Sequence, residues 1–262
     1  MLGMPGGTVM SIGAGRLVTG DNRSNAPSPS PIHPSGDVKV FYALPYAPHG
    51  DPHAIMAAFT FSSVDTMWTF SHLPGTVSIY QAGTTNEVPP QECWEATVPC
   101  ESGGHRTYYG ISGTGPFVAP LNYGASFSAS ANGSVETMGT KKRYFDENGK
   151  LVKITDRGAV HTYTRDGEDV TIEANTIRQP SRMRLIRSSG LITDIYVDVY
   201  HPDWGWVTVG EVDVGWGGDK IGSISVAPNG TTVYFTYHSS GEMATYEDCA
   251  GRACTITYEE EP

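Results

Sequence analysis

Four dipeptides in the second half of the chain favour tight turns between β-strands. Three are Asn-Gly and one is Asp-Gly: Asn132-Gly133, Asn148-Gly149, Asp166-Gly167 and Asn229-Gly230. Such dipeptides are a strong signal for two-residue hairpin loops, because Gly, Asn and Asp accept the positive φ angles that these loops require. Short runs rich in Val, Ile, Thr and Tyr separate the four turns, and these residue types favour strands. The pattern predicts successive antiparallel hairpins.

Alternating side chains within these runs support the same interpretation. Val233, Phe235 and Tyr237 fall on one face of a predicted strand, and Thr232, Tyr234 and Thr236 fall on the other. A period of two is typical of a strand with one buried face. A single hairpin cannot bury its apolar face, whereas several adjacent hairpins can. We therefore expect an all-β protein in which antiparallel hairpins form a curved sheet.

Charge limits the classes of partner. The formal net charge is −11 over 262 residues, which argues against nucleic acid as a partner, since phosphate binding needs clustered Lys and Arg. The richest basic cluster is Lys141, Lys142 and Arg143, and we interpret it as a solvated strand end. Apolar runs stay well short of 18 residues, so we expect no membrane-spanning segment.

One stretch resembles the repeat unit of a known family. Phe145-Asp146 is followed by a turn, by Gly149-Lys150-Leu151 and by a β-rich run that ends at Thr155-Asp156. This order resembles the unit of RHS (rearrangement hotspot) proteins, also called YD-repeat proteins, and the resemblance is best over residues 133–259. It implies hairpins that coil into a spiral sheet forming a hollow shell. Members of that family enclose toxins or mediate contacts at cell surfaces.

The chain divides by composition into three regions. Residues 1–36 contain a strand-like segment and a Ser/Pro-rich linker at 22–36. Residues 37–132 form an N-terminal β region, and residues 133–262 form the hairpin repeat region. We expect the first and last strands of the sheet to stay unpaired, with residues 7–20 adding to a neighbouring subunit's sheet. The Glu and Pro residues at 259–262 would block such pairing at the other end.

Four cysteines occur as two close pairs, Cys93 with Cys100 and Cys249 with Cys254. We predict a local disulfide within each pair, which would place the protein in an oxidising, extracellular compartment. Two alternatives remain open: reduced structural thiols, and a zinc site, which the seven-residue separation of the first pair disfavours.

Three of the five tryptophans, Trp204, Trp206 and Trp216, lie in one glycine-rich segment. We interpret them as buried anchors of a hairpin; the alternative is an exposed ridge on which a sugar ring stacks. Trp204 and Trp206 are two residues apart, so one strand would present both on the same face.

Motifs for other chemistry are incomplete. His49 and His53 flank Asp51 in a proline-bounded turn, and Asp146 and Asn148 have part of a calcium-loop spacing. We interpret both as turns and expect no catalytic residue, cofactor or metal. The favoured function is a structural, secreted or surface-exposed scaffold that binds other protein subunits. The alternatives are a carbohydrate-binding adhesion module and, third, a glycoside hydrolase that uses two of the many carboxylates.

Overall fold

The described part of the chain consists of β-strands joined by turns. The computed structural model describes residues 39–44, 53–63, 65–84, 91–101, 105–119, 124–175, 179–227, 230–247 and 251–256. These residues form twenty strands and no helix, which confirms the all-β antiparallel prediction. No helix in these ranges is long and apolar enough to cross a membrane.

The first three strands form a small antiparallel sheet. They are β1 (Lys39–Ala43), β2 (Ala58–Ser62) and β3 (Met67–Phe70), with β2 in the middle. Phe59, Phe61, Trp68 and Phe70 share the apolar face of this sheet, because Phe59 pairs with Phe70 and Phe61 pairs with Trp68.

Seventeen further strands form one large antiparallel sheet in which each strand pairs with the next along the chain, and the strand order closes the sheet from β20 back to β4. The first eight are β4 (Ser78–Thr84), β5 (Glu92–Pro99), β6 (His105–Gly110), β7 (Phe117–Val118), β8 (Ala125–Ser130), β9 (Gly133–Met138), β10 (Lys141–Phe145) and β11 (Leu151–Asp156). The others are β12 (Ala159–Asp166), β13 (Asp169–Ala174), β14 (Ser181–Ser188), β15 (Leu191–His201), β16 (Gly205–Gly217), β17 (Lys220–Ala227), β18 (Thr231–Tyr237), β19 (Met243–Glu247) and β20 (Ala253–Thr255).

Three of the four predicted turn dipeptides lie between paired strands. Ser130 pairs with Gly133 across the β8–β9 loop, and Asp166 pairs with Asp169 across the β12–β13 loop. Gly149 lies in the β10–β11 turn with φ +72°. Asn229 of the fourth dipeptide lies outside the described residues. Within the described residues, the sequence signal for hairpins is confirmed.

The core lies between the two sheets. On β18, Val233 and Phe235 are buried and Tyr234 between them is exposed, as the period-two pattern predicts. The ring of Trp68 in the small sheet lies 5.0 Å from that of Phe235, measured between centroids, and its Nε1 donates a 2.7 Å hydrogen bond to the hydroxyl of Tyr237. The small sheet therefore packs its apolar face on β18 of the large sheet.

The segment before β4 joins the large sheet at a distant turn. The backbone N–H of Val77 donates to the carbonyl of Gly149 at 2.9 Å, and Thr76 forms an antiparallel bridge with Lys150. This seam links the start of β4 to the β10–β11 turn.

The structure bears on two predictions from the sequence, the domain boundary at 132/133 and the unpaired terminal strands. The boundary at 132/133 falls within the β8–β9 hairpin, so one sheet continues through it. The expectation that the sheet's terminal strands stay unpaired is wrong for the described strands, because β20 and β4 are neighbours in a closed order. Residues 7–20 and 259–262 lie outside the described residues, and the spiral path remains a prediction.

The seam makes Gly149 more sensitive to substitution than other turn glycines. A Cβ added at Gly149 would lie 2.3 Å from the carbonyl oxygen of Val77, whereas one added at Gly167, which also has positive φ, meets nothing within 4 Å. We expect Gly167→Ala to cost about 1–2 kcal/mol for left-handed backbone and Gly149→Ala to cost about 1–3 kcal/mol more for the clash. Urea unfolding of both variants measures the difference, and equal losses would contradict the seam.

Candidate functional site

The β15–β16 hairpin carries the most exposed aromatic side chain of the described residues. Trp204 lies in its turn and is 75% exposed. One face of the indole stacks on the ring of His201, with centroids 4.1 Å apart and planes 16° apart. The expectation that Trp204 is a buried hairpin anchor is therefore wrong, because the turn projects it into solvent.

The other two tryptophans of this segment have different surroundings. Trp206 is half-buried. Its ring centroid lies 5.6 Å from that of Tyr200, which meets it edge-on, and 4.4 Å from the guanidinium carbon of Arg182. Trp216 packs against the core, and its Nε1 donates to the carbonyl of Ile192 at 2.6 Å. At about 3.3 Å per residue, roughly 33 Å of β16 separates these two side chains. The three tryptophans do not form one ridge, and only Trp216 fits the expected role as an anchor.

A carboxylate on the outer face fixes the arginine beside Trp206. Asp198 accepts 2.7 Å hydrogen bonds from the Nε atoms of Arg182 and Arg184 and from the hydroxyl of Thr208. Burial raises the pKa of the Asp198 carboxyl, but these hydrogen bonds outweigh burial and hold the pKa below its usual range. The cluster positions the Arg182 guanidinium over the Trp206 ring.

A line of three exposed side chains and one half-buried side chain crosses four strands elsewhere on the outer face. Tyr80, Glu95, Tyr109 and Val118 are aligned by the register of β4 to β7; we call them the outer row. Tyr109 and Val118 are 51% and 67% exposed, and the Tyr80 hydroxyl donates to Glu95 Oε2 at 2.5 Å. Ile111, which directly follows β6, is also exposed. The outer row presents more apolar surface than an isolated exposed residue would.

Behind this face lies an ion network centred on the buried Glu136 and Arg143. Glu136 on β9 pairs directly with Arg143 on β10, and it accepts hydrogen bonds from Arg143 Nε at 2.6 Å, Arg106 Nε at 2.8 Å and the Tyr108 hydroxyl at 2.5 Å. Arg143 Nη1 also donates to the carbonyl of Pro99 at 2.7 Å. Burial raises the pKa of Glu136, yet the hydrogen bond from Arg106 and the charges of both arginines outweigh it and hold the carboxyl ionised.

This network corrects the interpretation of the basic cluster at 141–143. Lys142 is exposed, as expected, and Lys141 is partly buried in an ion pair with Glu101 at 2.5 Å. Arg143, in contrast, has no exposed surface, because its side chain points into the sheet interior toward Glu136. The expected solvated strand end is therefore wrong for Arg143.

A histidine joins the small sheet to β12 inside the protein. His72 is buried, with Nε2 at 2.9 Å from the carbonyl of Met56 and Nδ1 at 2.6 Å from the hydroxyl of Tyr163. Because the carbonyl can only accept, Nε2 carries the proton and the Tyr163 hydroxyl donates to Nδ1. The ring of His161 lies 5.9 Å from that of His72, and its Nε2 donates to the carbonyl of His53 at 2.9 Å. The hydrogen bonds of His72 therefore fit a neutral imidazole.

The cysteine prediction fails for the first pair. Cys93 lies in β5 and Cys100 directly follows that strand, so about 23 Å of extended backbone separates them, far beyond the reach of a disulfide. No disulfide joins the described cysteines Cys93, Cys100 and Cys254. Cys254 forms no disulfide in the structure, which does not support the predicted bridge from it to Cys249, a residue outside the described ranges.

The sequence contains two partial metal-binding motifs, one at residues 49–53 and one at Asp146 and Asn148. His49 and Asp51 lie outside the described residues. Among the residues that are described, no three His, Cys, Asp or Glu side chains are grouped as metal ligands. Asp146 instead accepts the backbone N–H groups of Asn148 and Lys150 at 2.9 and 2.8 Å, which organises the β10–β11 turn.

No family model matches the chain, and no curated protein is significantly similar to it.

Acid should weaken the protein through His72. Burial lowers the pKa of His72 from 6.5 to about 4, with the charges of His161 and Lys141 adding to the effect and the Met56 hydrogen bond and Glu101 opposing it; burial lowers the pKa of His161 as well. Between pH 6.5 and 4 the unfolded chain binds more protons than the folded one. The titration of His72 should therefore lower the free energy of unfolding by roughly 3 kcal/mol as the pH falls through this window.

Urea unfolding at several pH values between 7 and 4 measures this slope. His72→Gln keeps an acceptor for Tyr163 and a donor for Met56 but does not titrate, so its slope should be flatter than that of the wild type. His201→Gln, which removes a half-buried imidazole at the end of β15, is the control, and its slope should stay steeper than that of His72→Gln. An unchanged slope in His72→Gln would show that the buried imidazole does not control acid stability.

Proposed function

We propose that this protein is a structural β scaffold, secreted or exposed at a cell surface, that acts through contacts with other protein subunits. The outer row carries this proposal. Three of its four members, Tyr80, Tyr109 and Val118, are large and exposed, and the pairing of β4 to β7 holds them at fixed spacing. Contiguous apolar surface of this kind commonly marks a protein interface, and tyrosine is enriched at the centres of interfaces.

The interior supports a structural role for the large sheet. The small sheet, the Glu136 network and the His72 contacts fill space behind it, so the outer face is the surface that the sheet offers to partners. A sheet braced from inside presents its outer side chains with little loss of conformational entropy on binding.

The likeness to RHS proteins belongs to the same proposal. Successive hairpins in β9 to β13, joined by turns at Asn148-Gly149 and Asp166-Gly167, support a repeat of that kind. The extracellular location now rests on this resemblance, because the disulfide between Cys93 and Cys100, which favoured an oxidising compartment, is excluded by the length of β5.

The outer row is tested by self-association. We expect the wild-type chain to associate in sedimentation velocity experiments, and Tyr109→Ser to weaken that association at least about tenfold, as loss of a central tyrosine commonly does. Tyr234→Ser is the matched control, since Tyr234 is 53% exposed on β18, away from the outer row. Both changes are at the surface and should alter the unfolding free energy by less than about 0.5 kcal/mol. A wild type that stays monomeric, or equal effects of the two variants, would contradict the proposal.

A carbohydrate-binding role is the second candidate, and the exposed indole of Trp204 favours it. His201 covers one face of the ring, which holds the indole in one orientation, and the opposite face is available for a sugar. The third alternative, glycoside hydrolysis, has less support. Asp194 and Asp213 pair across β15 and β16, but Asp213 is exposed on the sheet face, whereas substrate sites are commonly concave pockets.

Trp204→Ala separates adhesion from scaffolding. Loss of the stacking face should weaken glycan binding by about 1–3 kcal/mol, by analogy with bases stacked on aromatic side chains. The exposed position implies a stability change below about 0.5 kcal/mol, and Trp204→Phe should keep most of the affinity. A glycan array on which wild type and Trp204→Ala give the same pattern would rule out sugar binding at this turn.

A further inference from the structure

A cleft opens at the seam where β4 meets two hairpin turns. Its volume is about 290 Å³, at the lower end of the range of ligand pockets, which suits a single side chain or a small amine better than a large ligand. Its wall is formed by the start of β4, the β8–β9 turn and the β10–β11 turn. The lining residues are Val77, Ile79, Ala129, Ser130, Gly133, Ser134, Asp146, Glu147, Asn148 and Gly149.

Among the described residues, two carboxylates and no basic side chain line this cleft. Asp146 uses Oδ1 for the backbone N–H groups of Asn148 and Lys150, which leaves Oδ2 open to a further donor. Glu147 is exposed in the same turn. Two cations lie close by but outside the lining. They are the exposed Lys150 and Arg165, whose Nη2 donates to the carbonyl of Leu151 at 2.8 Å and whose charge interacts with that of Asp146. The cleft is therefore a local site of negative charge.

A buried hydroxyl provides a second, independent indication of a ligand. Ser134 lines the cleft and is only 6% exposed. None of the side-chain hydrogen bonds among the described residues involves its hydroxyl, and that oxygen is not among the fully enclosed atoms that lack a partner, so it is open to the cleft. A donor that entered the cleft would satisfy the Ser134 oxygen as well as the Asp146 carboxylate.

The remaining wall is apolar. Val77, Ile79 and Ala129 pack against the core from beneath the cleft. A basic side chain has the same division of character, with an aliphatic stem that favours apolar contact and a charged head that favours carboxylates.

From this geometry we propose that the seam cleft binds an alkylammonium or guanidinium group, contributed by a lysine or arginine side chain of a protein partner. The partner rests on the proposed scaffold function, whereas the cleft chemistry stands on its own. The stem lies along Val77 and Ile79, and the cationic head donates to Asp146, Glu147 and Ser134. The net charge of −11 steers a basic partner toward the molecule in general, and the cleft supplies the specific contact.

The cleft is tested with a small probe on the whole chain. Nα-acetyl-lysine methylamide, titrated at low salt, should perturb backbone NMR signals of residues 130–134 and 146–149. The charge-neutral Nα,Nε-diacetyl analogue should not. Glu147→Gln should weaken the probe about threefold, and Glu147→Gln combined with Asp146→Asn at least about tenfold, since each loses a charge while keeping an acceptor oxygen. Ser134→Val should block the base of the cleft.

Asp203→Asn is the matched control, because Asp203 is an exposed carboxylate in another hairpin turn; it should leave binding unchanged. The proposed binding at the cleft would be overturned by NMR perturbations at other residues, by equal binding of the neutral analogue, or by an equal loss of probe binding in the Asp203 variant. Binding of free spermidine without binding of the lysine probe would overturn the assignment to a partner side chain. None of these outcomes depends on self-association through Tyr109, so failure of the cleft and failure of the scaffold proposal are distinguishable.

Discussion

The ionised carboxylate of Glu136, with no exposed surface, is the constraint on which the large sheet most depends. A charge taken out of water costs several kcal/mol unless opposite charges and hydrogen bonds compensate it. Arg143, Arg106 and Tyr108 supply that compensation from two other strands, and Arg143 extends it to the carbonyl of Pro99. Removing Glu136 alone would leave two arginines inside the protein without their counter-charge.

The geometry of this network also selects one strand register. Its members come from β5, β6, β9 and β10, which are not all neighbours in the sheet, so a one-residue slip of any strand would turn a charged side chain from the interior to the outer face. An apolar interior would tolerate such slips more readily. We infer that the network contributes specificity of pairing rather than net stability, which is the role best attested for buried ion pairs. This bracing holds the strands that carry the outer row.

The hairpins could be predicted from sequence because their signals are local. Asp166-Gly167 places its turn by backbone preference, and Val233 with Phe235 shows the buried face by alternation. The ion network carries no such signal. Arg143 follows two lysines and Glu136 follows a valine, and a charged residue in a strand normally faces solvent. Arg106 and Glu136 are 30 residues apart in the sequence, so only the three-dimensional arrangement of the strands brings these two side chains together.

The tryptophans show how a single extra residue defeats alternation. Trp206 and Trp216 have the same parity along β16, as do the buried Val212 and Val214, and strict period two would place them all inside. The β15–β16 register shifts between Val197 and Asp198, whose partners are Gly210 and Thr208, so Val209 is an extra residue on β16. Such a bulge reverses the faces beyond it. Trp216 therefore stays inside against the core, while Trp206 turns outward to meet Arg182. Trp204 lies in the turn before β16, outside this alternation, and is exposed.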